Sequence, residues 1–356
     1  MYKPEYQISP KILDSISKVE AAKAVIENSP LLPLYERQFK AEATVRKVHF
    51  STAIEGNYLE LNEVRQIVDG SLTLRELESG EKVVARQRDI QEVINYRDVV
   101  KYIEKIYETL QKDNKNLNLS EKIIKEIHEL LIKEILPDVG GKYRSGTAVT
   151  INYATGEKLY PYEDVENFEV KLRELIDWYN DQSPIHPILK AGLLHLEFVR
   201  IHPFEEGNGR MARALATLSL SVDGYDVGHF FCLDEYYDSA AHEYYEFLGK
   251  GFKDPTIWLE YFSLGMAIEF NRIKDRVMKI SKDAKVKSKV GQMFITERQE
   301  MIIEWLNNYG YFRNQDFETL FPGISDDTVL REIKPLLEAK IITKKGITKS
   351  ARYELG

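Results

Sequence analysis

Cysteine is nearly absent: Cys232 stands alone among 356 residues. An internal disulfide is thereby excluded, and a reducing cytoplasm is the expected home. Flanked by "HFFCLDEYY", Cys232 reads as a small buried hydrophobe rather than a nucleophile. No apolar run approaches the roughly 18 residues that span a bilayer. The opening "MYKPEYQISPKILDSI" is too polar for a secretory signal. Positive charge is in deficit, with a formal net charge of -8, which argues against a surface that coats nucleic acid along its whole length. Internal repeats and low-complexity tracts are missing as well.

What is present reads as a globular, mainly helical chain. The composition is 43% hydrophobic and 30% charged, and the length suggests two or three domains. "LLPLYERQFKAEATVRKVHFSTAIEGN" spaces its apolar and small residues helically and stops at Gly56-Asn57. "NLSEKIIKEIHELLIKEIL" opens with Ser120 as N-cap and closes before Pro137. The period then changes: "GGKYRSGTAVTINYATGEKLYPY" combines glycines, β-branched residues and a turn, which predicts a β-hairpin. Further helices follow as far as "PTIWLEYFSLGMAIEFNRI". The segment Asn271 to Val290 carries eight Lys/Arg against two Asp. It reads as a solvated helical connector, with nucleic-acid contact as the sharper alternative. The last 65 or so residues run helix, helix, helix, strand pair, the order of a winged helix-turn-helix.

The stretch "IHPFEEGNGRMAR", Ile201 to Arg213, concentrates chemistry. One helix ends near His202 because Pro203 restricts the residue before it. Another begins near Gly209-Arg210. The glycines between them let backbone approach a ligand closely, and the free N–H groups of the new helix favour an anion. Glu206 is placed to hold Mg²⁺ beside phosphate oxygens. Arg210 and Arg213, three apart, suit phosphate oxygens. His202 can take a proton from a nucleophile at neutral pH.

"HPFEEGNGRMAR" matches the signature H-x-F-x-(D/E)-G-N-G-R-x-x-R of Fic-domain proteins, and the chain resembles that family over about Leu119 to Ile268. The resemblance implies a mainly α fold: a Fic-type helical bundle with a β-hairpin flap. It also implies a Mg²⁺-dependent protein adenylyltransferase that moves AMP from ATP to a Ser, Thr or Tyr hydroxyl of a target protein or of itself. His202 would be the base and Phe204 the buried anchor. Glu206 would hold the metal. Gly207, Asn208 and Gly209 would form the anion hole, and Arg210 and Arg213 would hold the β- and γ-phosphates. The hairpin at Thr147, Val149 and Ile151 would dock a target segment by strand addition, with Tyr160 and Tyr162 as clamp or as core. Tyr244 and Tyr245 fall where the family places an adenine-contacting pair. The chain departs from the pattern just beyond, reading "EFLGKGFKDP" where the family carries an Asn.

"HFSTAIEGN" resembles the family's inhibitory motif (S/T)-x-x-x-E-(G/N), filled here by Ser51, Glu55 and Gly56. Glu55 would then pair with Arg213 in the place of the γ-phosphate. The expected divisions are an N-terminal helical region at 1–118, a catalytic core at 119–270, a basic linker at 271–291 and a winged helix at 292–356. That last module is expected to touch DNA or protein, with Lys344, Lys345, Lys349 and Arg352 on its wing. Two other readings stand beside the transferase: a DNA-binding regulator with an idle or sensing core, and an enzyme that removes AMP. A homodimer is the assembly entertained.

Overall fold

The computed structural model describes residues 2–29, 31, 33–70, 87–146, 149–151, 158–161, 165–181, 184–283, 296–309, 311–346 and 352–355. Thr147, Tyr162 and Lys349 lie outside these residues. Contacts divide the chain into two compact units, Met1–Asn28 with Glu36–Lys274, and Ser29–Tyr35 with Asp275–Gly356.

The first unit is helical. Its elements are α1 (Pro10–Glu27), α2 (Pro33–Ala53), α3 (Leu61–Val68), α4 (Gln87–Asp113), α5 (Glu121–Ile132), α6 (Val165–Asn180), α7 (Pro187–Ile201), α8 (Asn208–Val222), α9 (Asp234–Ser239), α10 (Ala241–Gly251) and α11 (Pro255–Asp283). Ser120 caps α5 as its sequence predicts, its Oγ accepting from the Ile123 N–H at 3.4 Å. Helix α7 is buried around nearly its whole circumference, which marks it as the central helix. Leu193, Leu196, Phe198 and Ile201 are fully buried, and each such side chain contributes roughly 1.5–3 kcal/mol. Gly192 lets α11 come close, since a Cβ there would lie 3.0 Å from Leu259 and 3.1 Å from Phe262. The Trp258 indole N–H fixes that approach by donating to the Gly192 carbonyl at 2.8 Å. Helix α8 folds back against α7, and α4 and α5 pack on α8.

Helix α2 owes its position partly to buried ion pairs. Lys47 Nζ meets Asp226 Oδ2 at 2.9 Å with both side chains nearly sealed from solvent. Burial alone would raise the Asp226 carboxyl, but Lys47 and then His229 hold it well below the usual range. Arg46 bonds to Glu235 and lies 3.2 Å from Glu269. Such pairs specify one seating for the helix more than they stabilise it.

The predicted hairpin forms as β1 (Val149–Ile151) and β2 (Lys158–Pro161), antiparallel, with Val149 opposite Pro161 and Thr150 opposite Tyr160. Helix α11 carries the start of the basic segment as far as Asp283.

The second unit contains α12 (Glu297–Tyr309), β3 (Phe312–Arg313), α13 (Phe317–Leu320), α14 (Asp326–Glu338), β4 (Ile342–Lys345) and β5 (Arg352–Leu355). Its sheet has the order β3-β5-β4. Phe312, Phe317, Val329, Ile333, Leu336 and Tyr353 form its apolar centre. Strand β3 escaped the sequence reading because two residues carry no periodicity.

No helix among the described residues is long and apolar enough to cross a membrane.

Candidate active site

The loop between α7 and α8 is built by two left-handed residues. His202 caps α7 at φ 51° and ψ 59°, its N–H donating to the Phe198 carbonyl at 3.0 Å. Gly207 starts α8 at φ 83°; a Cβ there would also approach Leu131 to 2.7 Å. Only glycine takes both conditions without strain. Asn208 locks the turn: its Oδ1 accepts from the Phe204 N–H at 3.0 Å and its Nδ2 donates to the Phe204 carbonyl at 2.8 Å. Phe204 is fully buried, as its anchoring role requires.

Two residues that the sequence reading passed over hold this loop from outside. His128 of α5 stacks on Phe204 with ring centroids 3.7 Å apart. Its Nδ1 accepts from the Gly141 N–H at 3.0 Å, so Nε2 carries the proton that it donates to the Glu206 carbonyl at 3.1 Å. Burial pushes His128 down to about 4, so it is neutral at pH 7. The only signal in the sequence was a histidine set in the apolar stripe Ile124, Ile127, His128, Leu131. Arg144 was equally silent. Its Nε donates to the His202 carbonyl at 2.7 Å and its backbone N–H to the Pro203 carbonyl at 3.0 Å.

His202 places Nδ1 3.2 Å from the Val199 carbonyl. That contact assigns the proton to Nδ1 and leaves Nε2 as the basic nitrogen. Burial lowers His202 to about 4, with Arg144 pushing the same way and Glu55 opposing.

Arg213 is 2% exposed and collects an unusual set of partners. Its Nε donates to Ser51 Oγ at 3.0 Å, and one terminal nitrogen donates to the Ser51 carbonyl and to Glu55 Oε1, each at 2.8 Å. Buried Asp234, in the first turn of α9, lies 3.2 Å away. Burial would depress the Arg213 guanidinium, but Glu55, Tyr244 and Asp234 hold it well above its usual value. Burial would likewise raise Glu55, yet Arg213 and Arg210 keep it below the ordinary carboxylate range. Ser51 and Glu55 and the helix that follows the loop, read from separate stretches, thus meet in space.

The Glu55 carboxylate rests on the first turn of α8: a Cβ placed on Gly209 would collide with Glu55 Oε1. It sits where the free N–H groups of that helix favour an anion. The end of α2 turns through Gly56 at φ 88°. Asn57 then ties the segment down, donating to the Asp89 carbonyl at 2.9 Å and to Glu92 Oε2 at 3.1 Å.

Arg210 is 3% exposed and lies 3.6 Å from Glu206 and 3.9 Å from Glu92. Its Nε and Nη1, and Nη1 of Arg213, have no hydrogen-bond partner among the described residues. Buried guanidinium donors are costly to leave unpaired. Two of the three belong to Arg210 and one to Arg213, three positions apart on α8. Glu206 is 31% exposed in its side chain and bonded to Arg88. Of the tyrosine pair, Tyr244 is buried, its hydroxyl 3.2 Å from His195 Nε2. Tyr245 is 37% exposed and donates to the Ile54 carbonyl at 3.4 Å. Cys232 is fully buried and burial raises its thiol far above the usual value, which leaves it an inert core residue.

Residues 118–220 match the model of the Fic/DOC family. That stretch is therefore similar to a Fic domain. It is 26% identical over 246 residues to "Protein adenylyltransferase Fic" of Nematostella vectensis, covering 68% of this chain and 51% of that protein. With "Protein adenylyltransferase fic-1" of Caenorhabditis elegans it shares 27% over 191 residues, 53% of this chain and 34% of the relative. The chain therefore spans between about a third and a half of the length of these curated relatives. Among solved structures, a Fic family protein from Desulfovibrio desulfuricans G20 superposes with a TM-score of 0.68 at 22% identity, over 100% of this chain and 98% of that one. A C. elegans Fic-1 fragment gives 0.60 at 22%, over 76% of this chain and 74% of that one. The fold is the mainly helical Fic fold.

Proposed function

We propose that this chain is a protein adenylyltransferase, transferring AMP from ATP to a hydroxyl of a target protein or of itself, and that Glu55 holds it inhibited. One observation carries the reading: buried Arg213 is shared by Ser51 and Glu55 beside unpaired guanidinium donors of Arg210 and Arg213. A nucleotide triphosphate needs those donors, and the Glu55 carboxylate already takes part of the set. Adenylyltransferase names among the relatives support the reaction class.

In the productive state the target hydroxyl attacks the α-phosphorus. The bond to the pyrophosphate oxygen breaks, and the hydroxyl proton passes to Nε2 of His202. Gly207, Asn208 and Gly209 present backbone N–H groups to the phosphates, and Arg210 and Arg213 take up the charge that moves onto the leaving group. Glu206, with phosphate oxygens, would hold Mg²⁺; one carboxylate completed by substrate phosphates is a usual set for that ion. When bound, it neutralises charge at the α- and β-phosphates. Arg144 and His128 keep the loop backbone in the geometry this requires.

The flap around Thr147, Val149 and Ile151 docks the target by strand addition, since a backbone-paired segment needs no single sequence. Tyr245 would contact the adenine, and Tyr244, which the resemblance placed there too, is buried with its hydroxyl 3.2 Å from His195 Nε2 and would back the pocket. The segments 1–118 and 119–270 would be functional divisions lying almost wholly within one compact unit, with 271–291 a linker and 292–356 a winged helix. There α14 opens with Asp326 and Asp327, and Lys345 and Arg352 are both paired to Glu354. That charge arrangement favours a protein over a phosphate backbone as the tail's partner. The matching outcome is no gel shift of random-sequence duplex at low salt; a shift that weakens steeply with salt would reverse the assignment.

The test of the main reading is incubation with α-labelled ATP and Mg²⁺. Weak self-labelling is expected in the native chain, none in His202→Ala, and a clear increase in Glu55→Gly. A Glu55→Gly chain that labels neither itself nor lysate proteins removes the proposal.

A further inference from the structure

We propose that Arg88 is a positioning residue that competes with a divalent cation for Glu206. The inference rests on the reading of Glu206 as the cation's ligand. In this structure Arg88, in the first turn of α4, bonds through a terminal nitrogen to Glu206 Oε1. Its Nε donates to Glu92 Oε1 at 3.1 Å. A hard cation binding Glu206 would use the same carboxylate, one oxygen of which Arg88 already holds, and it would meet a guanidinium already there. Arg88 takes up Oε1, and a cation on the same carboxylate would sit beside a like charge, so each weakens the other's hold. Arg88 has somewhere to go: its side chain is 55% exposed, so water can take its head group at little cost.

Glu92 makes this more than a surface pair. Its side chain is only 9% exposed, and it serves three elements at once. Oε1 orients Arg88 and lies 3.9 Å from Arg210, while Oε2 accepts from Asn57 at 3.1 Å, just past the inhibitory turn. The first two turns of α4 therefore link the end of that segment to Glu206 and Arg210. The site carries two brakes of different chemistry. Glu55 opposes a phosphate at Arg213, and Arg88 opposes a cation at Glu206.

The two separate by measuring cation binding rather than turnover. Mn²⁺ serves as the probe, followed by electron paramagnetic resonance with a non-hydrolysable ATP analogue, on the full chain carrying Glu55→Gly so that nucleotide enters. Adding Arg88→Ala, or the similarly shaped Arg88→Gln, is expected to lower the Mn²⁺ concentration at half-saturation roughly two- to fivefold, the range of a partly exposed ion pair. Arg88→Lys should stay near the parent, and Glu206→Gln combined with Arg88→Ala should abolish the gain. Half-saturation that is unchanged or raised in both Arg88→Ala and Arg88→Gln overturns the inference. A Mn²⁺ shift in a chain that transfers no AMP would uphold this competition while removing the adenylyltransferase reading. Label transfer without a Mn²⁺ shift would do the reverse.

Discussion

Around the loop at 202–213 the first unit buries ions, whereas the second keeps its charge pairs at the surface over an apolar centre. Arg210, Arg213, Asp234, Lys47 and Asp226 are each less than a tenth exposed. In the tail, Lys345 and Arg352 pair with Glu354 while their own side chains are 60% and 51% exposed. Apolar packing by Phe312, Phe317 and Tyr353 is enough to hold the tail. Buried ions are a poor way to stabilise a fold, because desolvation offsets most of their attraction. Under the proposed function, Arg210 and Arg213 would grip and release a polyanion, whereas Lys47 and Asp226 seat α2. The comparison therefore sets a unit that buries ion pairs against one held by apolar packing.

Three measurements press on that contrast, taken from the largest expected effect down. Arg213→Ala strands Asp234 and Glu55 without their cation, and should cost about 3–5 kcal/mol in denaturant unfolding of the first unit. A loss below about 1 kcal/mol would mean that the buried pair had been nearly neutral. Next comes acid. His128 and His202 are both lowered to about 4 in the fold and sit near 6.5 when unfolded. The unfolded chain then binds more protons than the native one between those values. Stability should be fully present above about 6.5 and fall as pH drops toward 4, on the order of 3 kcal/mol for His128 alone. His128→Phe keeps the stack on Phe204 without the titration, so unfolding of that variant should depend less on pH across the same window. An unchanged profile would assign the acid sensitivity elsewhere. Smallest is Lys345→Ala, expected to cost less than about 1 kcal/mol because its pair is exposed. A larger loss in tail unfolding would break the contrast from the other side.

Much of the site was legible because its geometry is local. Pro203, the glycines at 207 and 209 and the apolar periods on either side specify a helix, a tight loop and another helix within a dozen residues. The anion nest follows from that order alone. Ser51, Glu55 and Gly56 were legible for a different reason, as a second motif with meaning only beside the first. His128, Arg144, Arg88 and Glu92 were not. Each is an ordinary residue in an ordinary helix or loop, and its role comes from where distant backbone puts a carbonyl or a carboxylate.

Residue order by itself marked out the candidates to bind phosphate and take a proton, since those depend on side-chain type and on backbone freedom within a few positions. Which ions actually share a guanidinium was decided in three dimensions. Ser51 and Arg213 stand 162 positions apart, and Arg88 reaches Glu206 across 118. Contacts at such separations form only when packing brings α2, α4 and α8 together, and no local period records them.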